Sequence, residues 1–296
     1  MACRKTGRRE ATLLVIARVW PEPPAGFVLR PDGPRALYVA TPLEDDVCAR
    51  GLQSWDAWHR VLAQGSMASG RGATAIVDGG HGARWRLKAM RRGGRLAAIW
   101  RDRYPSVRRL VATLSASAEA RQRGVPTAQP IALIVEVGPH GLARGAMAFA
   151  EIEGSEDLAR RVVRKTATRA DLVATIGAVR AMHDRGVVHP DLNLGNILLR
   201  PRAGDAPEVF LVDFDRATFT PGPLPFAPRQ AALRRLERSC AKLTGVPGPL
   251  GPGSEDLWYT TYAGDDAGLA RRLARGLPLG RATLAMHRLG WRRHPP

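Results

Sequence analysis

The pattern of apolar and polar positions changes character about halfway along the chain. Residues 12–17, 27–30 and 36–40 are short apolar runs broken by Pro-rich turns, which predicts strands. Residues 52–62, carrying Trp55 and Trp58, predict a helix, and a Gly/Ser stretch follows at 65–72. Two further strands, 74–77 and 84–90, flank Asp78-Gly79-Gly80-His81-Gly82, which supplies the positive-φ positions a hairpin turn needs. A helix over 107–123 and strands over 131–137 and 146–152 complete this half. After Gly154 the period lengthens: Leu172, Ile176, Val179 and Met182 recur at helical steps and form one apolar face of a helix over 168–185. Short apolar runs at 196–199 and 209–212 suit a small buried hairpin, and 230–243 and 267–289 predict helices separated by a Pro/Gly loop. Strands come first and helices second, which predicts a segregated α+β fold, divided here into residues 1–152 and 153–296.

Composition narrows the class. The chain has 296 residues, 45% of them hydrophobic and 24% charged, enough for a real core. No stretch reaches the roughly 18 to 20 apolar residues that span a bilayer. The apolar run 11–17 is short and lacks a small-residue cleavage site, so it reads as a strand and not a signal peptide. Cys3, Cys48 and Cys240 have no metal spacing and an odd count, which predicts reduced thiols in a cytosolic setting.

The net charge of +18 is unevenly spread. Between residues 81 and 110, ten basic side chains (Arg84, Arg86, Lys88, Arg91, Arg92, Arg95, Arg101, Arg103, Arg108 and Arg109) face one acid, Asp102. After Asp266 no acid remains and seven arginines follow. Such blocks attract polyanions. The recognition helix, zinc ligands or interleaved aromatics of a nucleic-acid module are missing, so no nucleic-acid partner is expected. The tryptophans read mainly as core, with Trp258 and Tyr259 a candidate contact for lipid headgroups.

The most informative stretch is His189-Pro190-Asp191-Leu192-Asn193-Leu194-Gly195-Asn196, followed across the expected hairpin by Asp213-Phe214-Asp215. Phosphoryl transfer to a hydroxyl needs one carboxylate to take the hydroxyl proton, and a carboxylate with an amide oxygen to hold magnesium. Asp191, Asn196 and Asp213 supply these types in a loop–strand–turn–strand order that can gather them. His183 and His189 are expected to pack and hydrogen-bond rather than react. Upstream, Gly70-Arg71-Gly72 opens a G-x-G-x-x-A-x-V run ending at Val77, where backbone N–H groups could approach phosphates and Val77 could cover an adenine. Lys88, on the next strand, could reach the α- and β-phosphates.

With these residues the chain resembles the protein-kinase-like superfamily, and within it the lipopolysaccharide kinases that act on 3-deoxy-D-manno-octulosonic acid (Kdo). The resemblance covers roughly residues 50 to 245. It rests on Gly70-Arg71-Gly72, Leu87-Lys88 leading to Arg91-Arg92-Gly93-Gly94, Asp102-Arg103-Tyr104 and Gly124-Val125-Pro126. It continues through Glu153-Gly154, Asp157-Leu158, the loop from His189 to Asn196, and Asp213-Phe214-Asp215-Arg216. It implies a bilobal fold, with a β-rich N-lobe and a helical C-lobe and ATP between them. Asp191 would be the base, Asn196 and Asp213 the Mg²⁺ ligands, and Gly70, Arg71, Gly72, Val77, Lys88 and Asn193 the nucleotide contacts. The implied substrate is an anionic glycolipid, the Kdo-lipid A precursor, at an anionic membrane surface. The expected enzyme is a cytoplasmic monomer, peripheral on the inner membrane. A kinase acting on another small molecule or a protein, and a pseudokinase serving as a basic binding module, are the alternatives. The chain also departs from the kinase pattern. Ala75 replaces the third loop glycine, Pro190 an arginine and Asn193 a lysine, and Glu119 is the only acid between Asp102 and Glu136 that could pair with Lys88.

Overall fold

A computed structural model of the chain describes residues 20–64, 66–68, 72–91, 102–138 and 140–275. The strand expected at 12–17, Gly70 and Arg71, Arg92, Arg95 and Arg101, and the chain after residue 275 lie outside these residues. Packing divides the chain into two units, residues 1–119 with 128–151 and residues 120–127 with 152–296.

The first unit is built from strands β1 (Phe27–Asp32), β2 (Arg35–Ala40), β3 (Ser66–Ala68), β4 (Gly72–Gly80), β5 (Ala83–Ala89), β6 (Pro130–Val137) and β7 (Ala143–Ala150). They form one sheet in the order β1-β2-β6-β7-β5-β4-β3, and every neighbouring pair is antiparallel. Alternate residues of a strand point to opposite faces. In β2, Leu37 and Val39 therefore join Val47, Trp55, Trp58 and Leu62 of helices α1 (Glu44–Ala49) and α2 (Trp55–Gln64). Ala36 and Tyr38 join Val107, Leu110, Val111 and Leu114 of helix α3 (Val107–Gln122) on the other face. A sheet covered on both faces explains why β2 and β6 read as apolar runs instead of alternating patterns.

The second unit holds helices α4 (Leu158–Arg164), α5 (Arg169–Asp184), α6 (Phe226–Thr244), α7 (Leu257–Ala263) and α8 (Ala267–Ala274). Among them lie a three-stranded sheet, β11 (Asp205–Leu211), β10 (Ile197–Arg202) and β8 (Glu156–Asp157), and the pair β9 (Val187–Val188) with β12 (Thr218–Phe219). Leu172, Ile176, Val179 and Met182, the face expected from periodicity, are all buried in this unit's core with Leu192, Leu194, Phe214, Leu233 and Leu236. Helix α5 starts at a capping box. The Thr168 hydroxyl accepts from the Asp171 N–H at 3.1 Å, and the Asp171 carboxylate accepts from the Thr168 N–H at 2.9 Å. Two donors that a helix start leaves unpaired are thereby satisfied.

Several expectations shift. The strand expected at 146–152 is Ala143–Ala150, and the hairpin expected at 196–199 and 209–212 is longer in both arms. Helices α1, α4 and α7 span only six or seven residues each, too few for a period to be read. Trp258 and Tyr259 are buried, 0% and 4% exposed, and the Trp258 indole donates to the Pro247 carbonyl at 3.0 Å. They belong to the core and do not serve lipid headgroups.

Candidate active site

The approach to the site is fixed by a glycine. Beyond α5 the chain reverses at Gly186, where φ is +71°. A Cβ there would stand 2.5 Å from the Gly222 carbonyl oxygen and 2.6 Å from that of Thr220, so no side chain fits. The chain then pairs as β9 with β12 and delivers His189, which is 1% exposed.

His189 is a brace. Its Nε2 lies 3.0 Å from the Val212 carbonyl oxygen, and its ring centroid is 4.9 Å from that of Phe214. A carbonyl only accepts, so Nε2 carries the proton and Nδ1 is bare. Nδ1 is also buried without a hydrogen-bond partner among the described residues. Burial pushes the imidazole pKa below 6.5, although the Val212 carbonyl and the carboxylates of Asp213 and Asp191 favour the proton; the Arg235 guanidinium opposes it. The ring thus stays neutral and holds backbone.

Downstream, the loop is cross-tied through its own polar groups. The Asp191 carbonyl accepts from Asn193 Nδ2 at 3.0 Å and from Asn196 Nδ2 at 2.9 Å. Asn193 Oδ1 accepts from the Gly195 N–H at 2.9 Å and so caps the short turn Leu194–Asn196. The Leu194 N–H donates to the Ser239 hydroxyl of α6 at 3.2 Å, and the Val212 N–H donates to the Asn196 carbonyl at 3.0 Å. These bonds bring the ends of the β10–β11 hairpin together, so Asp191, Asn196 and Asp213 share one locality. The carboxylate-bearing Asp191 and Asp213 are exposed. Asp213 has φ +69° and Arg216 +61°, left-handed conformations that each cost roughly 1–2 kcal/mol in a residue with a Cβ. Between them Phe214 is 1% exposed and anchors the turn in the core. Backbone strain held by a buried anchor is characteristic of functional turns.

With Nδ2 of Asn196 committed to Asp191, Oδ1 is its remaining donor for a cation. It and the Asp213 carboxylate are hard oxygens, the type that could hold Mg²⁺ where phosphates and water complete its shell. Asn193 braces the loop with both ends of its amide and leaves its second Nδ2–H uncommitted among the described residues.

In the first unit, strand alternation corrects one assignment. Thr74 stands opposite Lys88, Ile76 opposite Arg86 and Val77 opposite Trp85. Val77 therefore points with Ala75, Trp85 and Leu87 into the layer beneath α2, on the face opposite Lys88. Within β4 the apolar side chain that shares the Lys88 face is Ile76, which is 42% exposed. One base cannot be covered by Val77 while Lys88 holds its phosphates. Gly72 opens β4, and Glu119 sits in the last turn of α3. Gly186 and Ser239 had no sequence signal, because each acts through a partner distant along the chain, whereas Asn193 braces its own loop through Asp191 and Gly195, two residues away on either side.

An exposed loop carboxylate with an amide oxygen and a second carboxylate nearby is a donor set suited to phosphoryl transfer, and the relatives of this chain make it a kinase, a phosphotransferase that acts on an alcohol group. The chain belongs to the lipopolysaccharide kinase (Kdo/WaaP) family, whose model matches residues 56–247. It is 31% identical to the 3-deoxy-D-manno-octulosonic acid kinase of Mannheimia succiniciproducens, over 64% of this chain and 78% of the relative. It is also 31% identical to the 3-deoxy-D-manno-octulosonic acid kinase of Xylella fastidiosa strain M12, over 64% of this chain and 74% of the relative. Among solved structures, WaaP in complex with acyl carrier protein aligns with a TM-score of 0.47 at 20% identity, over 78% of this chain and 95% of that one.

Proposed function

We propose that the protein transfers the γ-phosphoryl group of ATP to a hydroxyl of Kdo on a lipid A precursor, a step in building the lipopolysaccharide core. The observation that supports this reading is the cross-tied loop, in which Asn196 Nδ2 donates to the Asp191 carbonyl and the N–H of Val212, next to Asp213, donates to the Asn196 carbonyl. The kinases of Mannheimia succiniciproducens and Xylella fastidiosa, named for Kdo, support the choice of acceptor. Asp191 takes the acceptor's proton as its oxygen attacks the γ-phosphorus, and the bond to the bridging oxygen of ADP breaks. Asn196 Oδ1 and Asp213 would hold Mg²⁺, which neutralises phosphate charge when bound. Lys88 and the backbone of Gly70, Arg71 and Gly72 contact the phosphates, Asn193 lends its remaining N–H, and Ile76 takes the base-covering role first given to Val77.

The enzyme acts as a monomer, peripheral on the cytoplasmic side of the inner membrane. Among the described residues no helix is long and apolar enough to cross a membrane. Exposed Arg84, Arg91 and Arg108 lie in the basic block, and each cation close to an anionic surface adds about 1 kcal/mol of attraction. The test is transfer of label from γ-labelled ATP to a Kdo-lipid A precursor, with protein and aminoglycoside acceptors in parallel. Magnesium-dependent label on the Kdo lipid is expected. Label on a parallel acceptor with none on the Kdo lipid would assign another substrate, and no turnover at all would make the chain a pseudokinase.

A further inference from the structure

Helix α6 carries basic side chains that none of the roles above employs. Ser239 holds the Leu194 N–H and so presses one flank of α6 against the loop of Asp191. Residues three and four apart share a helix face. Arg235 thus stands one turn before Ser239 on that flank, with Arg238 beside it and Lys242 one turn further on. The charge of Arg235 is felt at His189, two residues from Asp191.

The other arginines of this helix are spoken for. Arg229 donates to the Asp184 carboxylate at 2.7 Å and to the Tyr262 hydroxyl at 3.0 Å, and Arg234 donates to the Ala274 carbonyl at 3.3 Å. Arg235 and Arg238 are half-buried, yet among the described residues neither forms a hydrogen bond or an ion pair. Burial and the neighbouring Arg235 charge both work against the Arg238 cation; Glu237 favours it but commits a carboxylate oxygen to the Tyr259 hydroxyl at 2.7 Å. Two adjacent, partly desolvated guanidinium groups that no carboxylate bonds directly among the described residues are unfavourable unless an anion arrives from outside. The planar fork of arginine fits a carboxylate with two parallel hydrogen bonds. A sugar acid brings a carboxylate on the same molecule as the hydroxyl that Asp191 would deprotonate.

We propose that Arg235, with Arg238 beside it, binds the carboxylate of the acceptor sugar acid and so selects an acidic sugar and presents its hydroxyl to Asp191. The proposal rests on the functional reading above, in which the acceptor is Kdo and Asp191 the base.

The test compares the parent, Arg235→Ala and Arg235→Lys on a Kdo-lipid A precursor and on its Kdo methyl ester, which keeps the hydroxyls and loses the charge. A charge-assisted contact predicts that Arg235→Ala raises the acceptor KM roughly 10- to 100-fold, leaves the KM for Mg-ATP unchanged, and is partly rescued by lysine. The ester should be a poor acceptor for the parent and no poorer for Arg235→Ala. Thermal stability should hold, since the lost guanidinium bonds nothing in the fold. An equal penalty on acid and ester, a rise in the ATP KM instead, or a loss of stability would each overturn the proposal. If the parent labels neither acceptor, the functional reading itself falls and takes the proposal with it. Parent activity with an unaffected Arg235→Ala variant removes the proposal alone.

Discussion

Replacing His189 with leucine removes the N–H that ties the Asp191 loop to the backbone before Asp213. The Val212 carbonyl loses the donor 3.0 Å away. An unpaired buried acceptor costs about 1–3 kcal/mol. Loss of the ring contact with Phe214, at 4.9 Å between centroids, removes about 0.5–1.5 kcal/mol more. Against this, the buried Nδ1 has no hydrogen-bond partner among the described residues, and its removal returns about 1–3 kcal/mol. The two hydrogen-bond figures cancel, so the net loss of stability is small, about 0.5–1.5 kcal/mol, within reach of urea unfolding. The functional loss should be larger. Val212 precedes Asp213, whose φ of +69° is held against strain, and release of Val212 lets Asp213 relax. Groups that orient a metal ligand are typically worth about 10- to 100-fold in metal affinity. His189→Leu should therefore raise the Mg²⁺ concentration for half-maximal ATP turnover by about that factor. An unchanged Mg²⁺ requirement, or a stability loss above about 4 kcal/mol, would refute the division of roles.

Three other outcomes follow from the same geometry. Asp191→Asn should lower turnover about 10²- to 10⁴-fold while nucleotide binding, measured by thermal shift with Mg-ATP, stays close to the parent's; full activity would remove Asp191 as the base. His183 is 1% exposed, its Nδ1 is hydrogen-bonded with the Tyr262 hydroxyl at 2.8 Å, and burial with the nearby Arg229 charge pushes its pKa from 6.5 down to about 4. The unfolded chain binds this proton more readily, so the stabilisation is complete above about pH 6.5 and falls by about 3 kcal/mol as the pH drops through 4; urea unfolding at pH 7 and 5 should show the decline, and Tyr262→Phe should alter it. Membrane attachment should be Coulombic: co-sedimentation with anionic liposomes at low salt should disappear near ~1 M salt, where screening shortens to about 3 Å, and binding that resists salt would instead require an apolar anchor.

What could be read directly from the order of residues was local. The face Leu172, Ile176, Val179 and Met182 is a helical period that packing preserved, because a helix buries one stripe whatever lies opposite. The turn at residues 78–82 declared itself through glycines, and Gly80 and Gly82 take positive φ with His81 between them. The chemical types at Asp191, Asn196 and Asp213, with their spacing, pointed to phosphoryl transfer before any coordinate did. What the sequence could not supply was the direction in which side chains face and the company they keep. Val77 matched a linear pattern, yet strand parity against Trp85 sends it away from Lys88 and leaves Ile76 on that face. A shift of one residue reverses a strand's faces, and only pairing with a neighbouring strand sets that parity. Trp258 and Tyr259 looked amphipathic at a basic C-terminus, and the packing of α7 buried them. Ser239 and His189 gained their meaning from contacts with segments up to 45 residues away, as the Ser239–Leu194 bond illustrates, and Arg235 from the helix flank it shares with Ser239. Such contacts arise only when α6 closes its apolar face over the hairpin core, which brings its flank to the loop of Asp191.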